Sequence, residues 1–222
     1  MGLKVDTVQN PSSSTVNLTL DTSGNVTTGA NLTVTGTSTF TGSLGNITAG
    51  TVTASGLITG ATGALYPIVQ GTAQASTSGT SIDFTGIPSW VKRITVMFNG
   101  VSTSGTSNLW VQIGSGSVTS SGYTGYYSRQ GATGAGYTAL ASSFILSNSV
   151  TASSSFIGSL TFVLISGTTW VGTGIVVDST SINSMGNTSG SLALSGALDR
   201  IRLTTASGTD TFDAGTINIL YE

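Results

Sequence analysis

The sequence contains no cysteine and no histidine, and only 6% of its 222 residues are charged. Soluble domains carry about 25%. The missing cysteine excludes disulfides, thiol nucleophiles, zinc knuckles and iron–sulfur clusters. The missing histidine excludes a Ser-His-Asp triad, an imidazole metal ligand and a histidine pH switch. With six Lys and Arg and a net charge of −2, the chain lacks a phosphate-neutralising patch, so nucleic acid is not an expected partner. Long apolar runs are missing too. The strongest, at 162–165 and 175–177, are separated by Ser166, Gly167, Thr168 and Thr169. A membrane helix needs about 18 or more mostly apolar residues. Two buried strands joined by a tight turn are expected here, with no membrane insertion. Residues 1–10 lack the apolar stretch of a secretory signal, so synthesis in the cytoplasm is expected.

What takes the place of charge is Ser, Thr and 31 glycines. No charged residue stands between Asp21 and Asp83, or between Arg129 and Asp178. A disordered segment is usually kept soluble by charge. These stretches instead hold spaced Val, Ile and Leu, and are expected to be ordered.

Three regions differ in composition. Residues 1–21 are polar and mixed, and read as an extended segment without a core. In 22–65, Gly recurs at Gly24, Gly29, Gly36, Gly42, Gly50, Gly56 and Gly60, with Leu32, Val34, Ile47, Val52 and Leu57 between them. This is the period of short strands punctuated by turns. One such ribbon buries too little apolar area to stand alone. Winding identical chains together is the expected remedy, and a flexible Ser/Thr/Gly linker is the alternative. Residues 66–222 hold every aromatic except Phe40. Strand patterning is read at 81–85, 91–99, 109–113, 143–146, 160–165, 170–178, 191–194, 198–205 and 216–221. The fold class is therefore all-β: a Thr/Gly-rich intertwined β stem followed by an antiparallel, jelly-roll-like sandwich. Fully apolar strands would be central and covered on both faces.

Catalytic constellations are scarce. The sequence has no G-x-S-x-G, P-loop or H-E-x-x-H pattern. Asp210 and Asp213 are the closest acidic pair. A turn is favoured there over calcium ligation or glycoside hydrolysis. No enzymatic activity, cofactor or metal is expected. Lys92, Arg93, Arg200 and Arg202, with Asp199, are candidates for ion pairs between strands or subunits, and Asp199 with Lys92 or Arg93 is one expected pairing. Residues 114–137 are read as a long loop carrying Tyr123, Tyr126, Tyr127, Arg129 and Tyr137. Tyr among Ser and Gly offers rigid contact area with a polar tip, so these five are the candidate receptor contacts; the alternative is that they cover a sandwich edge or a subunit interface. Residues 101–107 are read as a second Ser/Gly loop, expected at the same end of the sandwich.

Three runs resemble bacteriophage tail-fibre and virion-appendage proteins: LDRIRLTTASGTDTFDAGTINILYE at 198–222, IPSWVKRITVMFNGVSTSGTSNLWVQIG at 87–114, and KVDTVQNPSSS with NLTLDTSGNVTT within 4–28. The resemblance implies a homotrimeric fibre or spike on the virion surface. An N-terminal anchor, with Lys4, Val5, Asp6 and Val8 as candidates, would dock on capsid, portal or tail proteins. The C-terminal knob would meet a host-surface glycan or protein. The chain is shorter than a long tail fibre and lacks the large parallel β-helix of depolymerising tailspikes. A head fibre or capsid-decorating spike without a receptor role is the alternative. A glycan depolymerase and a bacterial adhesin stalk rank below both.

Overall fold

The computed structural model describes residues 7–9, 16–20, 26–28, 58–60, 63–131, 134–180 and 183–222. The chain divides into two compact units, 1–53 and 54–222. In the first, β1 (Thr7–Gln9), β2 (Val16–Leu20) and β3 (Val26–Thr28) form an antiparallel sheet in that order. Val16, Leu18 and Leu20 alternate with Asn17 and Thr19, the period of a strand. Of the anchor candidates, Val8 lies in β1, opposite Leu18. Lys4, Val5 and Asp6 lie outside the described residues, as do Leu32, Val34, Ile47, Val52 and Leu57.

The second unit begins with a hairpin of β4 (Ile58–Gly60) and β5 (Gly63–Leu65). It continues with β6 (Val69–Gln70), β7 (Gln74–Ala75), β8 (Ser81–Thr85), β9 (Arg93–Thr103), β10 (Leu109–Ser115), β11 (Ser117–Val118), β12 (Thr124–Gly131) and β13 (Gly134–Ala139). Then come β14 (Phe144–Ser147), β15 (Phe156–Ser166), β16 (Thr169–Asp178), β17 (Ser184–Ala193), β18 (Arg200–Thr205) and β19 (Phe212–Tyr221). No helix occurs among the described residues.

The strands build two antiparallel sheets. The smaller runs β11-β10-β18-β8, with β14 also on β10. The larger runs β13-β12-β17-β16-β15-β9-β19-β6, with β7 also on β19. Their inner faces share one core, which makes the architecture sandwich-like. Ile94, Val96, Leu160 and Phe162 come from the larger sheet, and Val111, Ile113, Ile201 and Leu203 from the smaller. Alternation predicts these faces correctly. Ile94, Val96 and Phe98 are buried while Arg93 is exposed, and Ile201 and Leu203 are buried between Arg200 and Arg202. The apolar runs around 162–177 form β15 and β16, turning at Gly167 with φ of 54°, a left-handed conformation that suits glycine.

Four expectations are corrected. Residues 114–137 are not one long loop: β11, β12 and most of β13 occupy them, and β12 pairs with both β13 and β17. The Ser/Gly content hides strands because their backbone bonds need no apolar side chains. Similarly, residues 101–103 finish β9 rather than opening a second loop. The weak strand at 191–194 is the end of a longer one, Ser184–Ala193. Its inward positions include Gly186 and Gly190, so hydrophobic alternation is absent there. Gly186 makes room for a ring: a Cβ at that position would stand 2.5 Å from Tyr127. Finally, β15 and β16 are central but not covered on both faces. Ile157, Val163, Ile175 and Val177 are exposed on the side away from the core.

Candidate functional site

Tyr126 and Tyr127 are consecutive on β12, so they point to opposite faces of the sheet. Register decides which is inside. Tyr127 stands opposite Thr188, whose side is buried, and is 1% exposed. Tyr126 stands opposite Ser189 and Ala139 on the outer face and is 61% exposed. Tyr137 lies opposite Ser128 on that same face, 80% exposed. The rings of Tyr126 and Tyr137 meet edge-on, with centroids 6.2 Å apart and planes at 68°. With both residues this exposed, the edge-on geometry leaves parts of both π faces open.

The five candidate contacts are therefore not one patch. Tyr123 and Tyr127 are removed as surface contacts because they belong to the core. The Tyr123 hydroxyl accepts a hydrogen bond from the Ile113 amide at 3.1 Å and donates to the Thr119 carbonyl at 2.8 Å. Its ring packs edge-on against Phe144 at 5.3 Å. Burial pushes its pKa up to about 12, against a smaller opposing effect of the Ile113 amide. Burial also raises the Tyr127 pKa, opposed by hydrogen bonds from Ser147 and Asn148 and by the charge of Arg129. Arg129 stands opposite Gly186 and Gly136, in step with Tyr127 and half-buried. It thus lies on the other side of the hairpin from Tyr126 and Tyr137.

The ion-pair candidates separate as well. Arg202 grips Asp83 with two bonds, Nε to Oδ1 at 2.7 Å and Nη2 to Oδ2 at 2.9 Å. The two residues are register partners across β18 and β8, so this is a bidentate fork between neighbouring strands. Asp199 does not pair with Lys92 or Arg93. It bonds the adjacent Arg200 at 2.8 and 3.2 Å and receives the Gly116 amide. Arg200 first, and then Gly116, hold its carboxyl below the usual range. The pairing differs because β18 runs beside β10 and β8, in the sheet opposite β9. Arg93 instead pairs with Glu222, and the Lys92 amide donates to the Glu222 carbonyl at 2.8 Å.

Of the acidic pair, Asp210 lies in the connection between β18 and β19, whereas Asp213 is already within β19. The Ser107 amide donates to Asp210 Oδ2 at 2.9 Å and lowers the Asp210 pKa. Asp213 is exposed on β19. No group of three His, Cys, Asp or Glu side chains that could hold a metal occurs among the described residues.

Asp178 was not a sequence candidate, yet it is 1% exposed. Its carboxylate accepts the Ser154 hydroxyl at 2.7 Å and the Thr180 amide at 3.1 Å. It ties the 151–155 turn to the end of β16. The one sequence signal was its position as the first charge after a long uncharged stretch.

Comparison with known proteins finds no matching family model, curated protein or solved structure. The outer hairpin face carrying Tyr126 and Tyr137 is therefore judged on its geometry. It presents aromatic surface and hydroxyl tips without charge. That chemistry fits stacking on a sugar ring or contact with a protein surface.

Proposed function

We propose that the chain is a non-enzymatic bacteriophage virion protein, a homotrimeric fibre or spike. Residues 1–21 anchor it to capsid, portal or tail proteins, residues 22–65 form a shared β stem, and residues 66–222 form a jelly-roll-like sandwich knob. The knob meets a host-surface glycan or protein. The reading draws on the three runs that resemble fibre and appendage proteins. The observation that carries the contact role is the exposed Tyr126–Tyr137 pair on the outer face of β12 and β13. Weak contact by each knob would be multiplied by the number of spikes on a particle.

A capsid-decorating spike without a receptor role is the second reading. It is favoured by the burial of Tyr123 and Tyr127, which makes half of the tyrosine cluster structural. Gold-labelled antibody against the chain, imaged on intact particles, tests the virion assignment. Labelled appendages are expected, and unlabelled particles would remove it. Adsorption of particles carrying Tyr126→Ala with Tyr137→Ala separates the two readings. Reduced adsorption supports contact, and normal adsorption supports decoration.

A further inference from the structure

The side of the larger sheet facing away from the core carries apolar residues toward both ends of its central strands. Met185, Val177 and Ile157 stand in register across β17, β16 and β15. Ile175 lies in the next row, and Val163 stands beside Val171 further along. These are substantial exposures for branched side chains: 51% for Ile175 and 45% each for Ile157 and Val163. No outward position on β12, β15, β16 or β17 carries a charge, and Arg93 on β9 stands at one corner, paired with Glu222. Exposed branched side chains gathered on one face in this way, rather than scattered singly, mark an interaction surface.

We infer that this face packs against the same sheet of another copy of the chain, so that the knobs meet through β15, β16 and β17. Three observations select that occupant. Without charge, the face has nothing to complement in a charged partner, and identical copies meet there without like-charge repulsion. Its size suits knobs already joined by a shared stem. Three strands spaced about 4.8 Å apart, each rising about 3.3 Å per residue over about ten residues, span about 480 Å², a little over half of what one partner gives to a free-standing interface. Its pattern mixes apolar and hydroxyl rows, as interfaces do: Ile157, Ile175, Val177 and Met185 on one side and Val163 with Val171 on the other, separated by the uncharged row of Thr95, Thr161, Thr173 and Ser189. Tyr126 and Tyr137 lie at the β12–β13 margin, beyond these apolar rows. The inference rests on the homo-oligomeric reading above and adds where the knobs touch.

The cysteine-free chain allows a direct test. Ile157→Cys, Val163→Cys and Ile175→Cys are made singly in the full chain, with Thr85→Cys on the other sheet as control, and oxidised at micromolar concentration. Light scattering gives the mass of the unmodified chain. Disulfide-linked chain pairs are expected from the outer-face set and not from the control. Adding Ile175→Lys to Ile157→Cys should slow cross-linking by about tenfold or more, since an unpaired ammonium would be buried. Circular dichroism verifies that each variant keeps its strands; if the lysine variant does not fold, the cysteine series alone decides. A trimer mass without outer-face cross-links overturns this inference and leaves the trimer reading standing. Cross-links with a dimer mass keep the face and remove the trimer. A monomer without cross-links, including one whose own N-terminal segment covers the face, ends both.

Discussion

Strands β15 and β16 have two faces built from the same kinds of residue but in opposite situations. On one side Leu160, Phe162, Trp170 and Val176 are buried beneath the smaller sheet. On the other Ile157, Val163, Ile175 and Val177 meet solvent. The difference does not lie in hydrophobicity. It lies in which face the smaller sheet covers, and that sheet comes from distant segments, β8, β10, β11 and β18. An apolar residue in this chain is therefore evidence of a surface to be covered. Whether the cover is internal is a separate matter.

The comparison can be broken most strongly from the inside. Phe162→Ala should cost about 3–5 kcal/mol, because its ring is fully buried and packs edge-on against Phe144 at 5.0 Å. Urea unfolding measures this, and a loss below about 1 kcal/mol would mean the inner face is loosely packed. Asp178→Ala is expected to cost about 2–3 kcal/mol, by removing charge-assisted bonds from buried Ser154 and from Thr180. Proteolysis within the 151–155 turn should rise in the same variant.

Burial of Tyr123 adds a pH test. Its folded pKa is raised, so its contribution is complete below pH 10, the ordinary tyrosine value, and is lost as pH rises towards about 12. Melting temperatures between pH 9 and 12 should fall, by about 2 kcal/mol in stability from this group. Tyr123→Phe should flatten that part of the fall, leaving the part due to Tyr127. Unchanged pH dependence in that variant would show that the hydroxyl is not held in the core.

The outward-facing groups should matter less for folding. Asp83→Asn breaks a fork in which both side chains are 36% exposed, and should cost about 0.5–1 kcal/mol, less at high salt. Tyr126→Ala with Tyr137→Ala sets the lower end. Chemical denaturation should change by no more than about 0.5 kcal/mol, whatever happens to adsorption. A larger loss would make this pair structural and weaken the contact reading.

The fold was readable wherever one face is apolar and the other polar. Ile94, Val96 and Phe98 declare β9, and Ile201 and Leu203 declare β18, because a half-buried strand writes its pleat into the sequence. It was unreadable where inward positions are small. Gly186, Thr188 and Gly190 face the core in β17 without an apolar signature, since Tyr127 fills the space beside Gly186 and Leu140 the space beside Gly190. The candidate site shows the same limit. A cluster of tyrosines was visible, but its division into Tyr123 and Tyr127 inside and Tyr126 and Tyr137 outside depends on the register of β12 against β17. A shift of one residue would exchange Tyr126 and Tyr127.

By itself, the sequence determined the chemistry available to this protein and its secondary structure class. Without Cys or His and with few charges, most of its side-chain contacts are aromatic, hydroxyl or apolar, and its β-branched and Thr-rich alternation commits it to strands. Tertiary structure decided which of those contacts remain exposed. Strand order and register join residues far apart in the chain, such as Arg202 with Asp83 and Tyr123 with Ile113, and local periodicity carries no information about such partners. The low charge of the whole chain thus becomes, in three dimensions, one particular sheet face whose central strands carry no charge.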